Sequence, residues 1–214
     1  MDQTRAQKYL LSIDGGGVRG IIPVLALVKL EQATGLLCRQ IFSFVAGTST
    51  GAVIASAIAA GVPASRILDF YLKRSLDVFP KRPWNTIKRV FTGSIYSTEK
   101  LRNVLADQLG PAKEWSINDS PVDLLITAKR VADGMPWYFV RDNPFNSGCT
   151  GSFKPLDCVT ASSAAPTYFQ PWNSDETIAG NATGRERLGA LIDGGVGVTG
   201  NPVYRGLRGS LLLH

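Results

Sequence analysis

The 214-residue sequence predicts a layered α/β fold with a largely parallel sheet. Two observations carry this expectation. Apolar runs of strand length alternate with helix-length runs along the chain. Hydrophobic residues also make up 44% and charged residues 19%, a globular composition able to bury a substantial core in a domain of this size.

The elements follow in order. Tyr9 to Ile13 reads as a buried strand that ends at Asp14 and three glycines, and Ile21 to Gln32 reads as a helix stopped near Gly35. Ile41 to Ala46 is a second strand, ending at Gly47. Thr50 to Ala60 is rich in small residues, which suits a helix packed closely on a sheet, and Gly61 and Pro63 stop it. Ile67, Leu68, Tyr71, Leu72 and Leu76 recur at helical spacing. So do Leu101, Val104, Leu105 and Leu109, capped by Ser97 or Thr98 and ended by Gly110-Pro111. Val122 to Thr127 and Trp137 to Val140 read as later strands, and Cys158 to Ala164 as a short helix stopped before Pro166. Asn173 to Arg187 reads as a polar surface loop, and Leu188 to Ile192 as a final strand. Trp115, Trp137 and Trp172 are expected in the core or a pocket wall. One domain over residues 1–214 is expected. The chain runs only to His214 after Asn201-Pro202, an ending that reads poorly as a finished edge and raises the expectation of a truncated domain.

Composition excludes several classes. No apolar run approaches the roughly 18 residues of a membrane span; the best, Ile21 to Leu30 and Ala52 to Val62, suit buried helices. Met1 to Lys8 is polar, unlike a secretory leader. Cys38, Cys149 and Cys158 are odd in number and scattered, so free thiols in a reducing, cytoplasmic setting are expected. With one histidine and no cysteine cluster, no metal site and no cofactor are expected. The net charge of +6 suits an anionic partner such as a phospholipid surface or nucleic acid, and equally an ordinary basic surface.

Three junctions carry chemistry. In Asp14-Gly15-Gly16-Gly17-Val18-Arg19-Gly20, glycines let the backbone turn and aim successive N–H groups at one spot before a helix N-terminus. Such a cradle can hold a nucleotide phosphate, since Gly15-x-Gly17-x-x-Gly20 matches a dinucleotide fingerprint, or the oxyanion of a tetrahedral intermediate. A plain tight turn would use the same glycines. The nucleotide reading expects an acid near the end of the next strand, and Gly47-Thr48-Ser49 supplies none.

At the second junction, Gly47-Thr48-Ser49-Thr50-Gly51 matches the Gly-x-Ser-x-Gly nucleophile elbow, with an apolar strand before it and a small-residue helix after it. A serine hydroxyl needs a base, usually histidine. The only histidine is His214, the last residue, so a catalytic Ser49 implies another base. The third junction, Asp193-Gly194-Gly195, offers a carboxylate at a strand end, whose proton affinity would rise on burial beside Ser49. A simple turn aspartate before two glycines fits the same residues.

Taken together, these motifs resemble the patatin-like phospholipase family. The resemblance runs from about Tyr9 to Pro202 and rests on Asp-Gly-Gly-Gly-x-Arg-Gly, Gly-Thr-Ser-Thr-Gly and Asp-Gly-Gly in the family's order. Ala161 to Pro166 ahead of Tyr168-Phe169, and Asn201-Pro202, add to it. The resemblance implies a three-layer α/β/α sandwich and hydrolysis of lipid acyl esters by a Ser49–Asp193 dyad. It makes Ser49 the nucleophile, Asp193 the general base, and the backbone N–H groups of Gly15 to Val18, chiefly Gly16 and Gly17, the oxyanion hole. Arg19 would orient the loop or meet lipid phosphate, and Asp14 would shape the loop. The substrate implied is phospholipid or another acyl lipid at a membrane surface, with the protein cytoplasmic and peripheral and with no nucleic-acid partner. Two rivals remain at this point: an inactive lipid-binding or scaffold domain of the same fold, and a nucleotide-binding module.

One further segment, Phe79 to Trp84 with Lys88 to Phe91, mixes basic and aromatic residues. It reads either as a membrane-touching lid or as a solvated loop whose aromatics pack back onto the domain.

Overall fold

A computed structural model describes residues 8–78, 98–143, 150–177, 187–197 and 200–204. In order, the elements are β1 (Tyr9–Ile13), α1 (Ile21–Thr34), α2 (Cys38–Ile41), β2 (Phe42–Thr48), α3 (Thr50–Ala59) and α4 (Ala64–Val78). After these come α5 (Thr98–Leu109), β3 (Asp123–Arg130), β4 (Pro136–Val140), α6 (Pro155–Ser162), β5 (Trp172–Thr177) and β6 (Arg187–Asp193). The basic–aromatic segment from Phe79 to Phe91 lies outside the described residues, as do Ser97, Cys149 and His214.

The six strands form one mixed sheet in the order β1-β2-β3-β6-β5, with β4 also pairing β3. β1, β2 and β3 run parallel, in line with the sequence expectation, while β4 and β6 join β3 antiparallel and β5 joins β6 antiparallel. The register places the site. β4 covers one edge of β3 from Leu125 to Lys129. On the opposite edge β2 covers Asp123 to Thr127, ending with Thr48 beside Thr127, and β6 covers Ala128 to Arg130, ending with Asp193 beside Ala128. The C-terminal ends of β2 and β6 therefore meet head to head on adjacent residues of β3.

α3 fills the centre of the molecule. All ten of its residues are buried, and its alanines and glycine let it lie close to β1, β2 and β3. The main apolar cluster joins α3 to Val24 and Leu27 of α1, Ile67 and Phe70 of α4, Leu101 and Leu105 of α5, and Val159 of α6. Phe44, Ala46 and Leu125 form a smaller cluster with Tyr138, a result of the alternation of strand side chains between the two faces of the sheet.

Two sequence readings change. Residues 173–177, expected in a loop, belong to β5, which pairs with β6 from Trp172 opposite Leu191. Its sequence Trp-Asn-Ser-Asp-Glu-Thr has no apolar alternation, so pairing with a neighbour supplied what local pattern did not. α6 begins at Pro155, three residues earlier than expected, because proline is well tolerated at a first helical position. Trp137 and Trp172 pack partly buried against the main cluster, as expected of core residues.

Glu31 ties three helices together. One carboxylate oxygen accepts the N–H of Cys38 at the start of α2, and the other accepts the N–H of Ala64 at the start of α4, both at 2.9 Å. Each N–H is a helix-end donor without an intrahelical partner, at the positive end of a helix dipole. Burial, reinforced by Glu31, pushes the Cys38 thiol up to about 12. Glu31→Ala leaves both donors orphaned and is expected to lower unfolding free energy by about 2–4 kcal/mol in urea denaturation. Glu31→Gln, which keeps one good acceptor, should lose about half of that.

Candidate active site

β2 ends in a turn so tight that two positions must lack a side chain. A Cβ on Gly47 would overlap the Gly51 carbonyl, and one on Gly51 would overlap the Ile13 carbonyl of β1. Between them Ser49 adopts φ 55° and ψ −121°, a left-handed conformation that residues bearing a Cβ rarely hold and that costs of order 1–3 kcal/mol. Ser49 caps α3 through its carbonyl, which accepts the N–H groups of Ala52 at 2.9 Å and Val53 at 3.2 Å. Its hydroxyl stays out of the cap and points elsewhere.

The Ser49 hydroxyl donates to Asp193 Oδ2 at 2.6 Å. Asp193 ends β6, and its other oxygen, Oδ1, accepts the Gly195 N–H at 2.7 Å. Asp193 is only 6% exposed. Burial raises its carboxyl above the ordinary aspartate value of 3.8, opposed by the hydrogen bonds from Ser49 and Gly195. Gly194 is held against β3, where a Cβ would overlap Thr127. Beneath the pair, the Thr48 and Thr127 hydroxyls share a buried hydrogen bond of 2.7 Å. The structure thus brings together two residues 144 positions apart, with no histidine among the described residues.

The glycine loop after β1 approaches from the other side. A Cβ on Gly15 would sit 3.3 Å from Ser49 Cβ, so the loop lies directly against the serine. Residues Gly17–Gly20 then form a short 3₁₀ turn that leads into α1. The Gly15 N–H donates to the Gly200 carbonyl at 3.1 Å. The N–H groups of Gly16, Gly17 and Val18 have no acceptor among the described residues. Of the four candidate oxyanion donors, three are thus available and Gly15 serves the loop. Arg19 is exposed, and its N–H and side-chain Nε both reach the Gly16 carbonyl, at 3.2 Å and 3.5 Å, so it braces the turn. Asp14 is exposed at the start of the loop. Gly20 fits tightly beside Thr50 and Tyr71, whose hydroxyls hydrogen-bond each other. Burial pushes the Tyr71 phenol up to about 12, so it stays neutral and anchors α4 to the start of α3.

Ser49, Asp193 and the glycine loop line a cavity of about 880 Å³. Val53, Phe70, Leu101, Leu105, Pro166 and Phe169 supply its apolar wall. A largely apolar space of 880 Å³ that includes the Ser49–Asp193 pair suits a hydrocarbon-bearing ligand with a polar reacting centre. A hydroxyl beside a desolvated carboxylate can attack a carbonyl, and backbone N–H groups without an acceptor among the described residues, lining the same cavity, can hold the resulting charge.

One contact with the elbow leaves no mark in the local sequence pattern. Ser162 Oγ accepts the Ser49 N–H at 2.8 Å across 113 positions. Ala161 to Pro166 stood out as a block, but nothing in its pattern marks which serine faces the turn.

A family model described as patatin-like phospholipase matches residues 11–204. Over 212 residues the chain is 29% identical to a cGAMP-activated phospholipase of Escherichia coli (strain TW11681), covering 92% of this chain and 54% of that protein. It is 32% identical over 211 residues to patatin-like protein 2 of Oryza sativa subsp. indica, covering 87% and 49%. With the calcium-independent phospholipase A2-gamma of Homo sapiens it shares 32% identity over 172 residues, covering 75% and 22%. The chain spans about half the length, or less, of these relatives.

The buried Asp193 has a consequence for stability. A carboxyl whose folded-state value is raised binds protons more tightly folded than unfolded, so its contribution favours the fold at low pH. That contribution is lost as pH rises from the unfolded value through the raised folded one. Asp193→Asn removes the charge while keeping an acceptor for Gly195. Thermal melting at pH 7 should therefore find the variant at least as stable as the parent, with the difference shrinking toward pH 4.

Proposed function

The chain belongs to the patatin-like phospholipase family, and on that premise we propose that it hydrolyses fatty-acyl esters of phospholipids or related lipids with Ser49 as nucleophile and Asp193 as base. The observation that carries the reading is the 2.6 Å hydrogen bond from the Ser49 hydroxyl to a buried carboxylate, both lining a largely apolar cavity.

The reaction runs in two halves. Asp193 takes the proton from Ser49 Oγ as that oxygen bonds to the ester carbonyl carbon. The carbonyl oxygen becomes an oxyanion facing the N–H groups of Gly16, Gly17 and Val18, with the start of α1 adding positive potential. The carbon–oxygen bond to the lipid alcohol then breaks, and Asp193 gives that alcohol its proton. An acyl ester on Ser49 remains. Water, deprotonated by Asp193, adds to the acyl carbon through a second oxyanion at the same donors. The Ser49 ester bond breaks, Ser49 recovers the proton, and the fatty acid leaves. The acyl chain occupies the apolar wall of Val53, Phe70, Leu101 and Leu105.

Burial gives the base its strength. An exposed aspartate is too weak a base to draw a serine proton efficiently, and desolvation moves it toward the hydroxyl's needs. The glycine loop carries comparable weight, since losing one oxyanion donor typically costs about 10²–10³ in rate. Among the described residues no helix is long and apolar enough to cross a membrane. The proposed substrate is met at a lipid surface, by a cytoplasmic protein acting peripherally on it.

Incubation with mixed phospholipid vesicles, with free fatty acid read by mass spectrometry, tests the reading. The parent chain should release fatty acid, and Ser49→Ala should lower the rate by at least about 10³-fold. Equal release by both would remove Ser49 from the reaction. Activity also needs the ionised Asp193, so the acid limb of the kcat/KM profile should fall above pH 3.8. A limb at or below that value would count against Asp193 as the base.

A further inference from the structure

The serine–aspartate pair is held from a third direction that the reaction scheme does not use. α6 ends at Ser162, whose side chain is fully buried, and Ser162 Oγ accepts the Ser49 N–H. Two residues on, the Ala164 carbonyl accepts the backbone N–H of Asp193 at 3.1 Å. One short stretch of chain thus bonds the main chain of both members of the pair.

Ser49 needs such a tie. Its backbone sits in the left-handed region that a Cβ disfavours. Its N–H belongs to a helix start, where no intrahelical carbonyl can accept it. Without the Ser162 hydroxyl that donor would be orphaned in a part-buried turn, and the peptide plane before Ser49 would turn to seek another acceptor. The placement of Ser49 Oγ on Asp193 follows from the same plane. The bond also withholds the Ser49 N–H from the cavity.

The geometry points to Ser162 as a positioning residue: together with the Ala164 carbonyl it forms a bracket that sets how Ser49 Oγ meets Asp193. It acts through the main chain and touches no reacting atom. The inference rests on the dyad proposed above. It also assigns a physical task to the Ala161 to Pro166 run, which continues past the bracket into the cavity wall at Ala165 and Pro166.

Three variants of the whole chain decide it. Ser162→Ala removes the acceptor, and Ser162→Thr keeps a hydroxyl. Val159→Ala opens a hole in the same helix, at a core position outside the cavity lining. Each is measured for melting temperature, for kcat and KM on phospholipid vesicles, and for amide hydrogen exchange at Ser49 by NMR. Ser162→Ala should lose about 10–100-fold in kcat, with KM within about twofold, as expected for misplacement of a reacting group. Its Ser49 amide should exchange about tenfold faster or more. Threonine should restore protection and most of kcat, and Val159→Ala should lower the melting temperature while leaving kcat near the parent's. Unchanged exchange at Ser49 in Ser162→Ala would overturn the bracket, and so would an equal loss of kcat in Val159→Ala. Should the parent release no fatty acid, the proposed hydrolysis fails, yet the exchange comparison still decides whether Ser162 holds the elbow.

Discussion

The head-to-head meeting of β2 and β6 on one edge of β3 is the constraint on which the rest depends. Thr48 pairs with Thr127 and Asp193 with the next residue, Ala128. Because both strands stop there, both chains must turn away at the same place. A strand pair in continuous register would instead carry its side chains alternately above and below the sheet. Here the termination brings the Ser49 hydroxyl and the Asp193 carboxylate to a hydrogen bond of 2.6 Å.

Steric demands propagate outward from that point. The turn after β2 packs so closely on β1 and α3 that Gly47 and Gly51 leave no room for a methyl group, and the turn after β6 imposes the same on Gly194 against Thr127. Hydrogen bonds to the main chain then hold what packing has placed. Gly200 holds Gly15, Ser162 holds Ser49, and Ala164 holds Asp193. The strained serine and the desolvated carboxylate are both unfavourable for the fold taken alone. Their persistence requires a rigid surrounding, and the fully buried α3 together with the three-helix tie at Glu31 provides it. Strain and desolvation concentrated where chemistry is proposed is a common pattern in enzymes.

Much of this was legible in the sequence, for identifiable reasons. Strong apolar runs ending in glycine marked β1, β2 and β6, and the Gly-x-Ser-x-Gly spacing reported the elbow because only glycine fits its flanks. The absence of an internal histidine directed attention to Asp193. Less legible were features made by contact between distant segments. β5 is a polar strand that exists through pairing with β6. The motif offers the Gly15 N–H as an oxyanion donor, and in the fold the Gly200 carbonyl accepts it. Of the two serines in Ala161 to Pro166, only the fold shows that Ser162 faces the elbow.

The sequence by itself determined the α/β class, the order of the motifs and the residue types at the site, because each reflects a local requirement. A tight turn demands glycine, a buried strand demands apolar side chains, and a helix stop demands glycine or proline. Tertiary structure supplied how closely the Asp193 carboxylate meets the serine, how dry it is, and which loop N–H groups lack an acceptor among the described residues. Those properties depend on the distance between segments remote in the chain and on the solvent excluded between them, and neither quantity is encoded in the spacing of any one motif.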